Sequence, residues 1–316
     1  MGGYILKRMV LALPVLFGIT VVVFLLVRLI PGDVIDAMLG TEASLRPEVR
    51  EQLRKTLGLD RPLYVQYFTW LADIVRGDLG RSLRTGQPIV ENLSGKLPIT
   101  LELAFLSIVM SLIIAIPLGV ISALRRNSSS DFVVRLLGTA GLSLPNFWLA
   151  TMLILIASRY FRWGAALIYV SPFEDLIENL KQMLLPSLAL ALGLTAVVMR
   201  MTRSSLLEVL SQDFIRTARA KGVHERWVLY RHALRNALMP IVTIVGIQTG
   251  HLLGGAVIIE QIFGLPGLGW FLLNAIYQRD YPAVQAGVLI LAIIFVVTNL
   301  VVDLLYAVLD PRIKYT

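Results

Sequence analysis

The chain has 316 residues, of which 56% are hydrophobic and only 16% charged, and its mean hydropathy is +0.74. These values exclude an ordinary cytosolic globule, a disordered chain and a small disulfide-stapled secreted domain. The lack of any cysteine excludes a thiol nucleophile or a thiolate metal site. The net charge of +8 does not indicate nucleic-acid binding, because the cations lie in the connections between apolar runs.

Six apolar runs are long enough to cross the roughly 30 Å of bilayer hydrocarbon, which takes about 20 helical residues. They cover residues 9–30, 99–124, 132–157, 183–199, 237–263 and 283–309. The first run is too long for the core of a signal peptide, and no small-residue cleavage site follows it, so we expect it to remain in the protein. The pattern predicts an all-α membrane protein with six transmembrane helices.

Lysine and arginine are distributed unequally between the two ends of these runs. Fifteen lie at one end, eight of them between residues 200 and 235, whereas the short connections at the other end hold Arg159, Arg162, Lys181 and Arg279. Because cytoplasmic loops retain positive charge during insertion, the first end and both termini are expected to be cytoplasmic. The predicted division is 1–30 with the first helix, 31–98 as a long extracytoplasmic region, and 99–316 as a core with a loop at 200–238.

Two short amphipathic helices are expected within the 31–98 region. The first begins at Pro47 and stops at Gly58. The second follows Pro62 and places on one side Tyr64, Phe68, Leu71 and Val75. A lid packed on the membrane domain is the favoured interpretation, and a docking surface for an external partner is the alternative.

Motifs for catalysis are missing from the sequence. The only Gly-Lys pair, Gly95-Lys96, lacks the following Ser or Thr of a phosphate-binding loop, and His224-Glu225 lacks the second histidine of a zinc-protease helix. The three histidines, at 224, 232 and 251, show no metal-ligand grouping. We therefore expect no enzyme activity, no cofactor and no metal in this chain.

The 200–238 loop is strongly patterned. Asp213 is expected to cap a two-turn helix over 214–221, and Gly222 is expected to end it in the left-handed conformation. A second helix follows, with one side formed by Trp227, Tyr230, Leu234 and Leu238. A helix of about eight residues is marginal alone, so the first one needs something to pack against.

Two interpretations of this two-turn helix are open from composition and spacing. Phe214 and Ile215 supply apolar anchors for a protein partner, and close backbone approach is allowed by the small residues Thr217, Ala218 and Ala220. Alternatively, the basic helix lies on anionic lipid headgroups.

Sequence blocks in this loop resemble a known family. Asp213-Phe-Ile-Arg-Thr-Ala-Arg-Ala-Lys-Gly222 and Arg231-His-Ala-Leu-Arg-Asn-Ala-Leu-Met-Pro240 are similar to the EAA loop of ATP-binding-cassette (ABC) importer permeases, in the DppB/OppB-type dipeptide/oligopeptide/nickel family. Seven further motifs agree in order along nearly the whole chain: Ile30-Pro-Gly-Asp33, Leu57-Gly-Leu-Asp60, Gly77-Asp-Leu-Gly80, Pro145-Asn-Phe-Trp148, Ile262-Phe-Gly-Leu-Pro-Gly-Leu-Gly269, Arg279-Asp-Tyr-Pro282, and Asp303-Leu-Leu-Tyr with Asp310-Pro-Arg312. Each is weak alone, but together they are specific.

The resemblance implies a type I ABC importer permease fold whose cytoplasmic coupling helix sits in a cleft of an ATPase subunit. The implied coupling residues are Asp213, Phe214, Ile215, Arg216, Thr217, Ala218, Arg219, Ala220, Lys221 and Gly222. Residues 216–218 are Arg-Thr-Ala where the general pattern has Glu-Ala-Ala, and Arg235 replaces a usual proline, so Ala218 and Gly222 correspond most directly.

The resemblance also implies partners and cargo. The partners are a second homologous permease of DppC/OppC type, two ABC ATPases that bind ATP and magnesium, an extracytoplasmic substrate-binding protein and the lipid bilayer. The implied cargo is a dipeptide or oligopeptide, with nickel chelates, glutathione or oligosaccharides as alternatives. A secondary transporter is a remote alternative, since we find neither a mid-span acid pair nor matching broken helices.

Polar residues within the apolar runs are costly to insert and favour buried or water-facing positions. The candidates for a translocation path are Asn146, Gln248, Thr249 and His251. Glu102, Glu260 and Asp303 lie near the ends of runs, where contact with interfacial water is expected. Two stripes of small residues favour helix packing, within this chain or against a second permease, with the lining of a translocation path as the alternative. They are Gly246, Gly250 and Gly254, and Ser107, Ser111, Ala115 and Gly119.

Overall fold

The computed structural model describes residues 2–29, 51, 55, 58–164 and 168–309. Over these ranges the secondary structure is almost entirely helical, with a single isolated bridge between Arg81 and Pro88. The helices are α1 (Gly2–Leu29), α2 (Leu63–Val75), α3 (Ile89–Leu124), α4 (Ser129–Ser143), α5 (Asn146–Phe161), α6 (Leu176–Leu210), α7 (Asp213–Ala220), α8 (Glu225–Trp227), a π-helical segment (Val228–Leu234), α9 (Arg235–Phe263), α10 (Leu268–Tyr277) and α11 (Tyr281–Leu309).

Within the described residues, five helical segments are long and apolar enough to cross a membrane. They are Arg8–Leu26, Ile89–Leu124, Leu176–Leu210, Glu225–Phe263 and Tyr281–Val302. Helices α4 and α5 pass the same test only as a pair, and a bend of 106° separates them. The six predicted spans are therefore present if this bent pair is counted as one.

The prediction of one continuous helix over residues 132–157 is wrong. The break lies at Leu144, which has an extended backbone (φ −94°, ψ 128°), and Pro145 then precedes the first turn of α5. Proline disfavours helical dihedrals in the residue before it, so Leu144 cannot continue α4. The sequence motif Pro145-Asn-Phe-Trp148 therefore marks the start of a separate helix.

The chain divides into two compact units, one of which comprises 1–5, 100–265 and 297–316. In this larger unit α6 packs against α4, α5 and α9. Small residues allow the close approach: a Cβ added to Gly119 would lie 2.8 Å from the carbonyl oxygen of Met199. One added to Gly246 would lie 2.3 Å from a methyl group of Val302, whereas Gly254 has open space. The packing role predicted for the two stripes is confirmed at Gly119 and Gly246.

The smaller unit comprises 6–99 and 266–296. In it Tyr67 of α2 packs against α1: its hydroxyl lies 2.8 Å from Thr20 Oγ1 and its ring contacts Phe24 edge-on. The predicted second amphipathic helix is confirmed, but its buried residue is Tyr67, and its predicted apolar side is largely exposed, at Tyr64, Phe68 and Val75. The predicted helix at 47–58 lies mostly outside the described residues.

A second cluster in the smaller unit joins three helices. Ile89 and Leu93 of α3 are buried with Leu268 and Ala275 of α10 and with Ala283 and Ala286 of α11. Asp280, just before α11, accepts hydrogen bonds from the Ser82 hydroxyl and from the Leu83 backbone N–H. These contacts fix the 78–88 loop to the start of α11.

Candidate functional site

Helix α7 begins one residue earlier than the sequence pattern suggests. Gln212 occupies the N-cap position without a side-chain hydrogen bond, and Asp213 is already in the first turn, so the prediction that Asp213 caps the helix is wrong. The Asp213 carboxylate accepts a hydrogen bond from Arg216 at 3.3 Å. An acidic side chain in the first turn still stabilises the helix through its dipole.

The end of α7 agrees with the prediction. Gly222 has a φ of 76°, and its N–H donates to the carbonyl oxygen of Arg219 at 2.9 Å. The N–H of Val223 donates to the carbonyl oxygen of Ala218 at 3.2 Å, which completes a Schellman motif. A Cβ at Gly222 would meet nothing within 4 Å, so only the left-handed backbone calls for glycine here.

One face of α7 is held inside the chain. Ile215 is fully buried in a group that we call the loop cluster, formed by Ala123, Leu206, Ile215, Val228, Ala233 and Ala237. Half-buried Ala218 and Val223 pack against the same cluster. The sequence predicts Ile215 as an apolar anchor for a partner, but in the structure it anchors α7 to this chain. The helix is too short to be stable without such a packed face.

The other face of α7 is exposed and basic. Phe214 is 45% exposed, and the side chains of Arg216, Thr217, Arg219, Ala220 and Lys221 are also exposed. Arg219 donates two hydrogen bonds to Glu225, at 2.6 and 3.1 Å, and this contact raises the pKa of Arg219. The paired geometry connects α7 to α8 across the Gly222 turn.

The segment after α8 differs from the predicted helix. Residues 228–234 form a π-helix, in which side chains five positions apart share a face. Val228 and Ala233 are therefore both buried, followed by Ala237 four positions later. The side predicted to carry the large apolar residues is not the one packed on the loop cluster: Trp227 and Tyr230 are 60% and 62% exposed, and Leu234 and Leu238 are half-buried.

Sequence reasoning missed a buried ion pair near this loop. Asp131 of α4 is fully buried, and Arg203 of α6 donates to both of its carboxylate oxygens, at 2.8 and 3.0 Å. The Ser122 hydroxyl and the Asn127 N–H also donate to this carboxylate. The partners are 72 positions apart, so no local signal in the sequence joins them.

Three of the four predicted path residues line one cavity of about 170 Å³. Asn146 at the start of α5 meets Gln248 and His251 of α9 there, and Gly193 and Val197 of α6 complete one wall. Thr249 does not line this cavity; it is buried, and its hydroxyl donates to the carbonyl oxygen of Val245. We call this space the polar cavity.

The acidic residues near the ends of the spans differ in their burial and in their hydrogen-bond partners. Glu260 is fully buried and accepts a hydrogen bond from Thr100 at 2.5 Å, so the expectation of interfacial water around it is wrong. Glu102 is half-buried and accepts a hydrogen bond from the Tyr169 hydroxyl at 2.5 Å. Burial, together with Glu102, raises the pKa of Tyr169. The side chain of Asp303 lies outside the described set.

Comparison with known families decides the class of protein. Residues 115–315 match the family described as the binding-protein-dependent transport system inner membrane component, and residues 1–104 match the N-terminal family of the same membrane components. The chain belongs to this permease family. It is thus a transporter permease of the ABC importer class and a multi-pass inner-membrane protein.

Relatives match the permease from end to end. The dipeptide transport system permease protein DppB of Alkalihalophilus pseudofirmus is 42% identical over 335 residues, covering 100% of each chain. The oligopeptide transport system permease protein AppB of Bacillus subtilis is 41% identical over 319 residues, again covering 100% of each.

Solved structures support the fold. A chain of the MetNI methionine ABC transporter, in an inward-facing conformation, superposes with a TM-score of 0.56 at 20% identity. The match covers 69% of the permease and 96% of that chain. At this identity the likeness establishes the type I importer fold alone. Across the described ranges, no group of three His, Cys, Asp or Glu side chains is arranged to hold a metal ion.

Proposed function

We propose that this permease is one of two membrane subunits of an ATP-driven importer for dipeptides or oligopeptides. Its end-to-end similarity, at 42% and 41% identity, to permeases named for dipeptide and oligopeptide transport supports this cargo. An extracytoplasmic binding protein delivers the peptide, and this chain supplies half of the path.

The remaining parts of the importer are separate chains. A second homologous permease completes the path, and two ABC ATPase subunits bind and hydrolyse ATP with magnesium, so this chain holds no cofactor. Both termini and the α7 loop lie in the cytoplasm, while 31–98 lies outside, with 99–316 as the core. The concentration of Lys and Arg at one end of the spans supports this orientation.

The coupling element is α7 with its Gly222 turn. Its exposed residues, 213–214, 216–217 and 219–222, contact the ATPase, while Ile215 and Ala218 hold the helix to the loop cluster. The observation that carries this proposal is the division of α7 into a buried face at Ile215 and an exposed face at Phe214. A short helix fixed on one side can transmit a displacement instead of absorbing it.

The loop cluster connects α7 to two membrane-spanning helices. It contains Leu206 of α6 and Ala237 of α9. These two helices also line the polar cavity, together with α5. Closure of the ATPases therefore moves α7, and the connected helices alternate the cavity between outward and inward access.

The path residues proposed are Asn146, Gln248 and His251, and the cavity that they share supports this proposal. Thr249 is not among them, because its hydroxyl donates to the carbonyl oxygen of Val245 in its own helix. A path for varied peptides needs polar groups that accept and donate hydrogen bonds without holding one side chain tightly, and two amides with an imidazole meet that need.

The test separates docking from folding. Phe214→Ala removes an exposed ring and is expected to weaken ATPase binding and peptide uptake about fivefold or more, with thermal unfolding unchanged. Phe173→Ala is the matched control, because Phe173 is 97% exposed in a loop proposed to lie outside. Purified importer in proteoliposomes gives uptake, and co-purification gives assembly. Full coupling in the Phe214 variant would refute the docking role.

A further inference from the structure

A second cavity, of about 480 Å³, lies between α4 and α6. Its polar lining consists of Arg135, Thr139, Arg200, Arg203 and Ser204, and we call it the arginine cavity. Leu142 borders both this cavity and the polar cavity. The two cavities lie one after the other along α6. Gly193 and Val197 line the polar cavity, and Arg200 and Ser204 line the arginine cavity.

Two of the three arginines keep exposed N–H donors. Arg203 directs its guanidinium to Asp131, whose carboxylate also accepts from Ser122 and the Asn127 N–H. Arg135 forms a longer ion pair with Asp131, at 3.6 Å, but its side chain is 53% exposed, so its other N–H groups can bind a ligand. Arg200 is exposed and has no ion-pair partner among the residues that the structure describes. The cavity therefore has a net positive charge.

The exposed strip of α6 is unsuited to hydrocarbon. A surface that faces lipid tails carries apolar side chains, because a charged group there is costly. The strip that lines the two cavities instead carries exposed Arg200 and Ser204, beside half-buried Gly193 and Val197. A water-filled space is the environment that these residues fit.

We propose that the arginine cavity binds the terminal carboxylate of a peptide as it leaves the polar cavity toward the cytoplasm; this rests on the peptide cargo proposed above. Every linear peptide has that carboxylate whatever its side chains, so the contact does not depend on peptide sequence. A guanidinium presents a planar fork that matches a carboxylate. Because Arg135 and Arg200 are exposed, the pairing is weak, as release requires.

The absence of cysteine from the chain allows a direct test. Ser204→Cys places a single thiol in the cavity of the complete importer, and Ser211→Cys, which is exposed outside the cavity, serves as the control. The rates of modification by an anionic and a cationic methanethiosulfonate reagent report the local potential. We expect Arg135→Gln with Arg200→Gln to lower the anionic-to-cationic rate ratio at the cavity thiol about tenfold or more. Arg226→Gln should leave it unchanged.

The second arm identifies the ligand. Millimolar Ala-Ala and tetraalanine should slow modification of the cavity thiol, whereas their C-terminal amides should not, and the double glutamine variant should lose the difference. Equal protection of the thiol by the peptides and by their amides would overturn the proposal. Protection seen only when phosphatidylglycerol replaces phosphatidylcholine in the membrane would overturn it as well. Uptake of the same peptides is measured in parallel. Missing uptake would count against the proposed peptide importer itself. An unprotected thiol together with normal uptake would count against the carboxylate site alone.

Discussion

At the scale of single residues, the surroundings of an ion pair decide what its loss costs. Asp131 is fully buried beneath Arg203, whereas the side chain of Asp213 is 93% exposed beside Arg216. Asp131→Asn leaves Arg203 without its counter-charge and is expected to destabilise the permease by about 3 kcal/mol. Asp213→Asn is the matched control and should cost under about 1 kcal/mol. Thermal unfolding in detergent compares them, and equal midpoints for the two variants would contradict the structure.

Residue-level features were predictable where the signal is local. The position of Gly222 directly after an eight-residue helical pattern predicts a left-handed helix end there, and its φ of 76° confirms this. Asp131 was not recognised, because its function depends on Arg203 in another helix. The burial of Ile215 and the exposure of Phe214 could not be predicted from the sequence either. The two residues are adjacent and both apolar, and only the packing of other segments on α7 decides which one is buried.

At the scale of elements, the π-helical segment acts as a one-residue insertion. Deleting exposed Tyr230 changes the Val228-to-Ala233 spacing from five to four, so an ordinary α-helix keeps both on the buried face. We expect this variant to fold and assemble. Deleting Ile247, which is 54% exposed within regular α9, rotates all that follows by about 100° and should prevent folding. Expression and monodispersity distinguish the two, and equal damage would contradict this account of the segment.

Long helices were predicted well, because a bilayer leaves the backbone few alternatives. The exceptions have local causes. Pro145 broke the third apolar run into α4 and α5. The π-helix displaced the predicted face of the following segment, since a period of 3.6 was assumed throughout. Neither departure changes the hydropathy, which is why the apolar runs alone did not reveal them.

At the scale of the whole molecule, the proposed orientation predicts which loops face outward. A cysteine replacing exposed Glu174 should react with a membrane-impermeant thiol reagent in intact cells, and one replacing exposed Arg226 should react only after the membrane is opened. The natural chain has no cysteine, so each variant carries one reactive thiol on this subunit. The reverse labelling pattern would contradict cytoplasmic termini.

The whole-molecule architecture followed from hydropathy and ordered motifs, whereas the cavities did not. The depth of Asn146, Gln248 and His251 in apolar runs predicts a place along the path, and they do line one cavity. Thr249 has the same depth, yet its hydroxyl bonds to its own helix. The arginine cavity was not predicted, because Arg135 and Arg200 resemble ordinary loop cations until the helices are packed.

The central claim is that α7 is bound by an ATPase subunit. A photoreactive phenylalanine analogue in place of exposed Phe214 tests it most directly in the assembled importer, with Phe173 as the site for comparison. We predict that the 214 probe crosslinks to the ATPase in the nucleotide-free, ATP-bound and post-hydrolysis states, and that the 173 probe does not. Crosslinks from position 214 only to lipid, or none in any state, would contradict the claim.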